Sequence, residues 1–151
     1  MVQNPPKDMP RIVPYLHYNK VEEALEWLSA AFGFKVSFTM PDSQGHLLHA
    51  EMRYGDGLVM MGPTSRDYGA LSPLDLAGVN QGLYIYVDDV IAHFEHAKAN
   101  GADIIMEPEY MFWGDRMYTA KDLEGHKWTF SQHVKDVPPE EMRLPESWDR
   151  K

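Results

Sequence analysis

The sequence predicts an α+β fold made of two tandem βαβββ modules, and three internal matches predict it. Tyr15-Leu16-His17-Tyr18-Asn19-Lys20-Val21 lies over Tyr84-Ile85-Tyr86-Val87-Asp88-Asp89-Val90 at a shift of 69 residues. Ala31-Phe32-Gly33 lies over Ala99-Asn100-Gly101 at a shift of 68. Tyr54-Gly55-Asp56-Gly57 before Leu58-Val59-Met60-Met61-Gly62 resembles Asp122-Leu123-Glu124-Gly125 before His126-Lys127-Trp128-Thr129-Phe130, an acidic-x-Gly turn leading each time into an extended apolar run. One inserted residue reconciles the two shifts. The period exceeds the roughly 20 to 50 residues of solenoid repeats, and two copies point to a closed, pseudo-symmetric domain.

Each element has a local reason. Residues 11–18 alternate Ile12, Pro14 and Leu16 with Val13, Tyr15 and His17, the period of a strand, and Pro14 assigns it to an edge or an irregular run. Asn19 is placed to cap a helix whose first turn carries Glu22 and Glu23, where negative charge suits the helix dipole. Val21, Ala24, Leu25, Leu28 and Phe32 share its apolar face, and Gly33 stops it. Residues 34–40, 46–54 and 58–62 read as three strands separated by Pro41-Asp42-Ser43-Gln44-Gly45 and Gly55-Asp56-Gly57. The second module repeats the plan with a strand at 83–87, a helix capped by Asp88 or Asp89 and closed by Gly101, and strands at 104–106, 116–121 and 127–132. Residues 107–113 read as an irregular connection. Pro138-Pro139-Glu140-Glu141 starts a short helix.

These elements divide the chain into an N-terminal tail (1–10), a domain (11–134) and a C-terminal tail (135–151). Within the domain, module one covers about 11–63, a loop 64–81 and module two 82–134. A chain of 151 residues suits one domain on the usual scale of about 100 to 200 residues. A formal charge of −9 repels phosphate backbones, so no nucleic-acid partner is expected. Zero cysteines rule out disulfides, thiolate metal sites and cysteine nucleophiles, in keeping with a cytoplasmic location. Met1 to Pro10 lacks the apolar run of a signal peptide, and no apolar stretch reaches the roughly 18 residues needed to span a bilayer, so no membrane association is expected. No Gly-x-Ser-x-Gly elbow or phosphate-cradling glycine loop is present.

The duplication, the Ala-Phe-Gly at the end of the first helix, and Met111-Phe112-Trp113-Gly114-Asp115-Arg116 followed by Asp122-Leu123-Glu124-Gly125-His126-Lys127-Trp128-Thr129-Phe130 together resemble the vicinal oxygen chelate superfamily. This is the glyoxalase, bleomycin-resistance and extradiol-dioxygenase group, and the resemblance over about 11–134 is to its small single-domain glyoxalase-like members. It implies curled mixed sheets enclosing a cup, helices outside, and often a homodimer. In metal-using members the ligands come from the first and last strands of each module, which here correspond to Val13, Met61, Gly82 and Thr129. None is a histidine or carboxylate, the donors a first-row metal needs at about 2.0–2.2 Å. No metal and no cofactor are therefore expected.

If Val13 faces the cup, alternation brings Tyr15 and His17 with it, and Gly82 brings Tyr84 and Tyr86. His49, Glu51 and Arg53 share one face of their strand, while Leu48, Ala50 and Met52 share the other. His49 and Glu51 are the candidate proton-handling pair, because a carboxylate beside an imidazole orients it and raises its pKa. They read equally as a solvated or hydrogen-bonded strand face. His17 is either a ligand contact or an inward side chain bonded to a tyrosine. Trp113, with Phe112, is a lid over a planar ligand or a packing group. His126 belongs to the turn, and the methionines to the core.

The expected protein is a metal-independent binder of a small organic molecule, sequestering a drug-like or aromatic ligand. Tyr15, His17, Arg53, Tyr84, Tyr86 and Trp113 would contact that ligand. The alternative is a glyoxalase-like lyase, isomerase or dioxygenase, using a relocated metal on His17, His49 and Glu51 or a metal-free His/Glu pair. A third reading is a dimeric interaction module without a ligand. Whether the chain is an enzyme stays open at this level.

Overall fold

The computed structural model describes residues 1–148, so the last three residues of the C-terminal tail lie outside the described part. The described chain forms two compact units, one of Met1–Gly78 with Leu123–Gly125, the other of Val79–Asp122 with the chain from His126 onward. No helix among the described residues is long and apolar enough to cross a membrane.

The first unit runs β1 (Tyr15–Tyr18), α1 (Val21–Phe32), β2 (Lys35–Pro41), β3 (Leu47–Tyr54) and β4 (Gly57–Pro63). Its sheet has the order β1-β4-β3-β2, with β1 parallel to β4 and the other pairs antiparallel. The second unit repeats it with β5 (Gly82–Tyr86), α2 (Val90–Ala99), β6 (Asp103–Tyr110), β7 (Asp115–Lys121) and β8 (Lys127–His133), in the order β5-β8-β7-β6. The predicted βαβββ duplication is thus the observed architecture.

In unit one the apolar stripe of α1, Val21, Ala24, Leu25, Leu28, Ala31 and Phe32, is buried. So are Leu16, Tyr18, Ala50, Met52, Val59 and Met61, one alternating face of the sheet. In unit two Tyr118, Ala120, Trp128 and Phe130 make the corresponding core beside Val90, Phe94 and Ala97 of α2. Tyr118 and Phe130 stack with centroids 5.4 Å apart. The opposite face of each sheet carries the polar and half-exposed aromatic side chains.

The Asp-x-x-Gly-His turn occurs twice, and its chemistry explains its sequence. Asp122 N–H donates to the His126 carbonyl at 3.0 Å, and His126 N–H returns a bond to Asp122 Oδ1 at 3.0 Å. Asp122 Oδ2 accepts the indole N–H of the fully buried Trp128 at 3.0 Å. Gly125 sits at φ +96°, where a side chain is strained. Asp42 and His46 make the same pair of bonds at 2.8 and 2.9 Å, around Gly45 at φ +90°. The first copy joins β2 to β3 and the second β7 to β8, so these turns are not equivalents in the duplication.

Several expected boundaries move, each for a physical reason. The first strand starts at Tyr15 rather than residue 11, because Pro14 has no N–H to pair; its carbonyl instead accepts Met60 N–H at 2.9 Å. Asn19 does not cap α1: Lys20 holds the N-cap position without a side-chain cap, and the Asn19 side chain bonds Thr64 and Asp75. The chain at that point is held by Glu124, whose Oε1 accepts Asn19 N–H at 2.7 Å and whose Oε2 accepts Lys20 N–H at 3.1 Å. Ser72 donates to the same carboxylate at 2.6 Å. Residues 107–110, expected to be irregular, extend β6, and Pro108 is accommodated because β6 is an outer strand with a register shift there. The loop 64–81 contains two short 3-10 turns, Arg66–Tyr68 and Pro73–Asp75. Asp89 caps α2 through Ile91 N–H and Ala92 N–H, and a short turn begins at Pro139, both as the sequence suggests.

Candidate functional site

On the polar face of the first sheet, Tyr15 and His17 come from β1, His49 and Glu51 from β3, and Phe38 from β2, which pairs with Glu51. Tyr15 Oη lies 3.0 Å from His49 Nδ1, and His49 Nε2 lies 3.2 Å from Glu51 Oε1. A carboxylate only accepts, so the proton of a neutral His49 sits on Nε2, and Nδ1 receives the Tyr15 hydroxyl. The predicted pair is therefore a chain of three, phenol to imidazole to carboxylate. Gly62 makes room for it: a Cβ there would stand 2.7 Å from Tyr15 Oη and 3.1 Å from the Leu48 carbonyl. Burial holds the Tyr15 phenol above its ordinary value.

The remaining first-unit candidates surround this chain. His17 packs against Tyr15 with the rings tilted by 37° and centroids 5.1 Å apart, and its Nδ1 lies 3.4 Å from the Pro63 carbonyl. Phe38 and Tyr15 keep about half of their surfaces open, at 50% and 44% exposure. Arg53 shares the strand face but turns its guanidinium to the N-terminal segment, donating to Asp8 O at 3.2 Å and reaching Met9 Sδ at 3.8 Å.

The second sheet gathers Tyr84, Tyr86 and Trp113 around a residue the sequence reading did not single out. Asp115 is buried, and its Oδ2 accepts Tyr84 at 2.7 Å, Tyr86 at 3.2 Å and the Trp113 indole N–H at 3.2 Å. Its Oδ1 faces His133 Nδ1 at 2.7 Å. Burial alone would raise the Asp115 pKa, but the bonds from His133, Tyr84, Tyr86 and Ser131 outweigh it and hold the carboxyl below its ordinary value. His133 Nε2 meets Asp136 at 2.8 Å, so both ring nitrogens face carboxylates and both donate in the imidazolium form. Asp136 and then Asp115 raise the His133 pKa accordingly. Tyr84 is raised chiefly by burial, with its bond to Asp115 adding to the effect and the one to Ser131 opposing it.

Asp115 and His133 are direct partners in the β7–β8 register, yet each lies one residue beyond the strand ends the sequence suggests. The available signal was the inward alternation running on from Met117 to Asp115 and from Ser131 to His133. Trp113 packs edge-on against Phe112 at 4.9 Å and against Trp148 at 6.2 Å, so its ring is part of an aromatic cluster while its N–H serves Asp115. A hollow of about 320 Å3 opens beside Tyr84, lined also by Gly82, Lys127, Thr129, Asn80 and Gln81.

One of the four positions that correspond to metal ligands moves by a residue. Tyr15 pairs with Met60, and Tyr84 pairs with Thr129, so the counterpart of Thr129 is Met60 and not Met61. Met61 is fully buried on the helix side. The cause is loop length: Glu51 pairs with Met60 nine residues on, whereas Thr119 pairs with Thr129 ten residues on. The corrected set, Val13, Met60, Gly82 and Thr129, still contains no imidazole or carboxylate, so it does not fit a divalent first-row metal. Among the described residues no group of three or more His, Asp or Glu side chains is arranged to hold an ion.

The family model for the Glyoxalase/Bleomycin resistance protein/Dioxygenase superfamily matches residues 11–130. Among solved structures, TioX from Micromonospora sp. ML1 is 34% identical, with 83% of this chain and 100% of that chain covered at a TM-score of 0.67. TnmS3, an antibiotic binding protein from Streptomyces sp. CB03234, is 18% identical, with 83% and 98% covered at a TM-score of 0.63, a likeness of fold. An uncharacterised protein of Mycobacterium bovis is 28% identical over 137 residues, 89% of this chain and 90% of its own.

Proposed function

The chain belongs to the glyoxalase/bleomycin resistance protein/dioxygenase superfamily, and from that premise we propose that it binds a small aromatic, drug-like molecule without a metal, protecting by sequestration. The observation that carries this reading is the half-exposed rings on the polar face of each sheet, Tyr15 and Phe38 in one unit and, separately, Tyr84 and Tyr86 in the other. Neighbouring exposed rings that form a contiguous apolar patch mark a ligand or partner surface, whereas single exposed rings are ordinary. The phenols are also anchored, to His49 or to Asp115, so a ligand meets rings whose orientation is already set and loses less entropy on binding. TnmS3, similar in fold, is an antibiotic binding protein, which supports the same direction.

The test is a fluorescence titration of the full chain with a panel of planar polycyclic antibiotics and with aliphatic controls of equal size. Saturable binding of a planar member is expected, weakened about fivefold to tenfold by Tyr86→Ala, the loss of one aromatic contact. Equal, weak responses to planar and aliphatic compounds would sink the proposal.

The Tyr15–His49–Glu51 chain favours a second reading, an acid–base enzyme of the lyase or isomerase type in which His49 moves a proton and Glu51 orients it. Turnover that survives chelators and is lost in His49→Gln would select it. We also read the chain as a homodimer, because the outer strand β2 presents Val36 and Met40 half exposed. Native mass spectrometry reports the subunit count directly.

A further inference from the structure

Lys35 and Arg53 stand directly opposite each other in the β2–β3 register. Like charges at directly paired positions repel and weaken a sheet. Neither residue forms an ion pair with a carboxylate among the described residues. The groups that Arg53 does reach, the Asp8 carbonyl and the Met9 sulfur, are neutral. The nearest acid on the same strand face, Glu51, is turned toward His49. This concentration of positive charge is notable in a chain of formal charge −9.

Both cations line one hollow of about 410 Å3, together with Ser37, Tyr54, Gly33 and Gly55, and no acidic side chain lines it. Gly33 and Gly55 stand at φ +78° and +56°, so the turns that frame the hollow favour residues without side chains. A guanidinium offers a rigid fork for two oxygens and an ammonium a compact point charge, and Ser37 adds a hydroxyl donor that now serves the Glu51 carbonyl at 3.3 Å.

We propose that this hollow is an oxyanion site, taking the carboxylate or phosphate group of a small molecule between Lys35 and Arg53. The anion replaces a repulsive pair by two attractive ones and competes with the Asp8 carbonyl for the guanidinium. Arg53 shares its strand face with His49 and Glu51, but its guanidinium is turned to the N-terminal segment and the site uses none of the rings Tyr15, Phe38, Tyr84 and Tyr86, so it stands whether or not an aromatic ligand binds them.

The experiment is an amide NMR titration of the full chain with inorganic phosphate and, separately, with benzoate, at ionic strength held constant with sodium chloride. Saturable shifts are expected at Gly33, Lys35, Ser37 and Gly55. Lys35→Gln and Arg53→Gln should each weaken saturation about tenfold or more, the worth of one charge-assisted bond. Lys35 is exposed, so Lys35→Gln leaves the fold intact; without the anion it should raise the melting temperature, because the repulsion is gone. Saturation by phosphate alone assigns the site to phosphate groups, by benzoate alone to carboxylates, and by both to the shared chemistry. Shifts that merely follow ionic strength, or equal binding by both variants and the parent chain, overturn the proposal.

Discussion

His133 shows how one side chain ties the polar face of the second sheet to the tail that follows it. Its raised pKa means that the folded state holds its proton more tightly than the unfolded chain does. The stabilisation from its contacts with Asp136 and Asp115 is therefore fully present below its ordinary value of 6.5 and is lost as pH rises through the folded pKa above it. Asp115 works in the opposite sense: its lowered pKa gives stability that is present above 3.8 and disappears as pH falls through the folded value below that. Thermal melts of the parent chain and His133→Gln should accordingly differ most in mildly acidic buffer and converge at alkaline pH. A constant difference across the range would show that the histidine acts by packing alone. At Gly62 the constraint is space. Gly62→Ala should push the Tyr15 hydroxyl off His49, costing about 1 kcal/mol or more of stability from the lost bond and the crowding. A ring-proton NMR spectrum in which the His49 environment is unchanged would contradict this.

Among the elements, α1 depends on a residue far away in the chain. Glu124 holds the backbone N–H groups of Asn19 and Lys20 and sets a negative charge near the positive end of the helix. Glu124→Ala also strips the buried Ser72 hydroxyl of its acceptor, so a loss of about 2–3 kcal/mol is expected in denaturant unfolding. Glu124→Gln, which keeps an acceptor but not the charge, should lose less. A loss below about 0.5 kcal/mol, the level of an ordinary surface change, would refute the role. The same elements show what a sequence carries. Helix faces and the Gly33 stop are local and were legible, and the cap of α2 was legible as one of two neighbouring aspartates, Asp88 or Asp89. The start of α1 was not, because its anchor lies more than a hundred residues downstream. Asp115 and His133 escaped for a related reason: strand ends are set by pairing with a partner, and neither partner is visible from one strand alone. The chain of Tyr15, His49 and Glu51 was half visible, since period-2 alternation puts His49 beside Glu51, whereas the bond to Tyr15 needs the sheet order.

At the scale of the molecule, the internal duplication read from the sequence is the fold, but the two compact units do not divide at a single point in the chain. Leu123–Gly125, from the second repeat, belong to the first unit. A fragment ending at Gly78 would lack Glu124, and with it the hold on the start of α1. We expect that fragment to show weak helical circular dichroism and no cooperative melt, while the full chain unfolds as one transition. A fragment that melts as sharply as the parent would argue that each repeat is self-sufficient.

The extra residue between β7 and β8 has a consequence for anyone redesigning this scaffold. In strands, an offset of one exchanges inside for outside. A designer who wished to rebuild an ion-binding centre by copying positions from one half to the other would place a carboxylate at Met61, in the sealed hydrophobic interior, and unfold the domain. The same graft moved to Met60 would project from the opposite surface and leave the interior untouched.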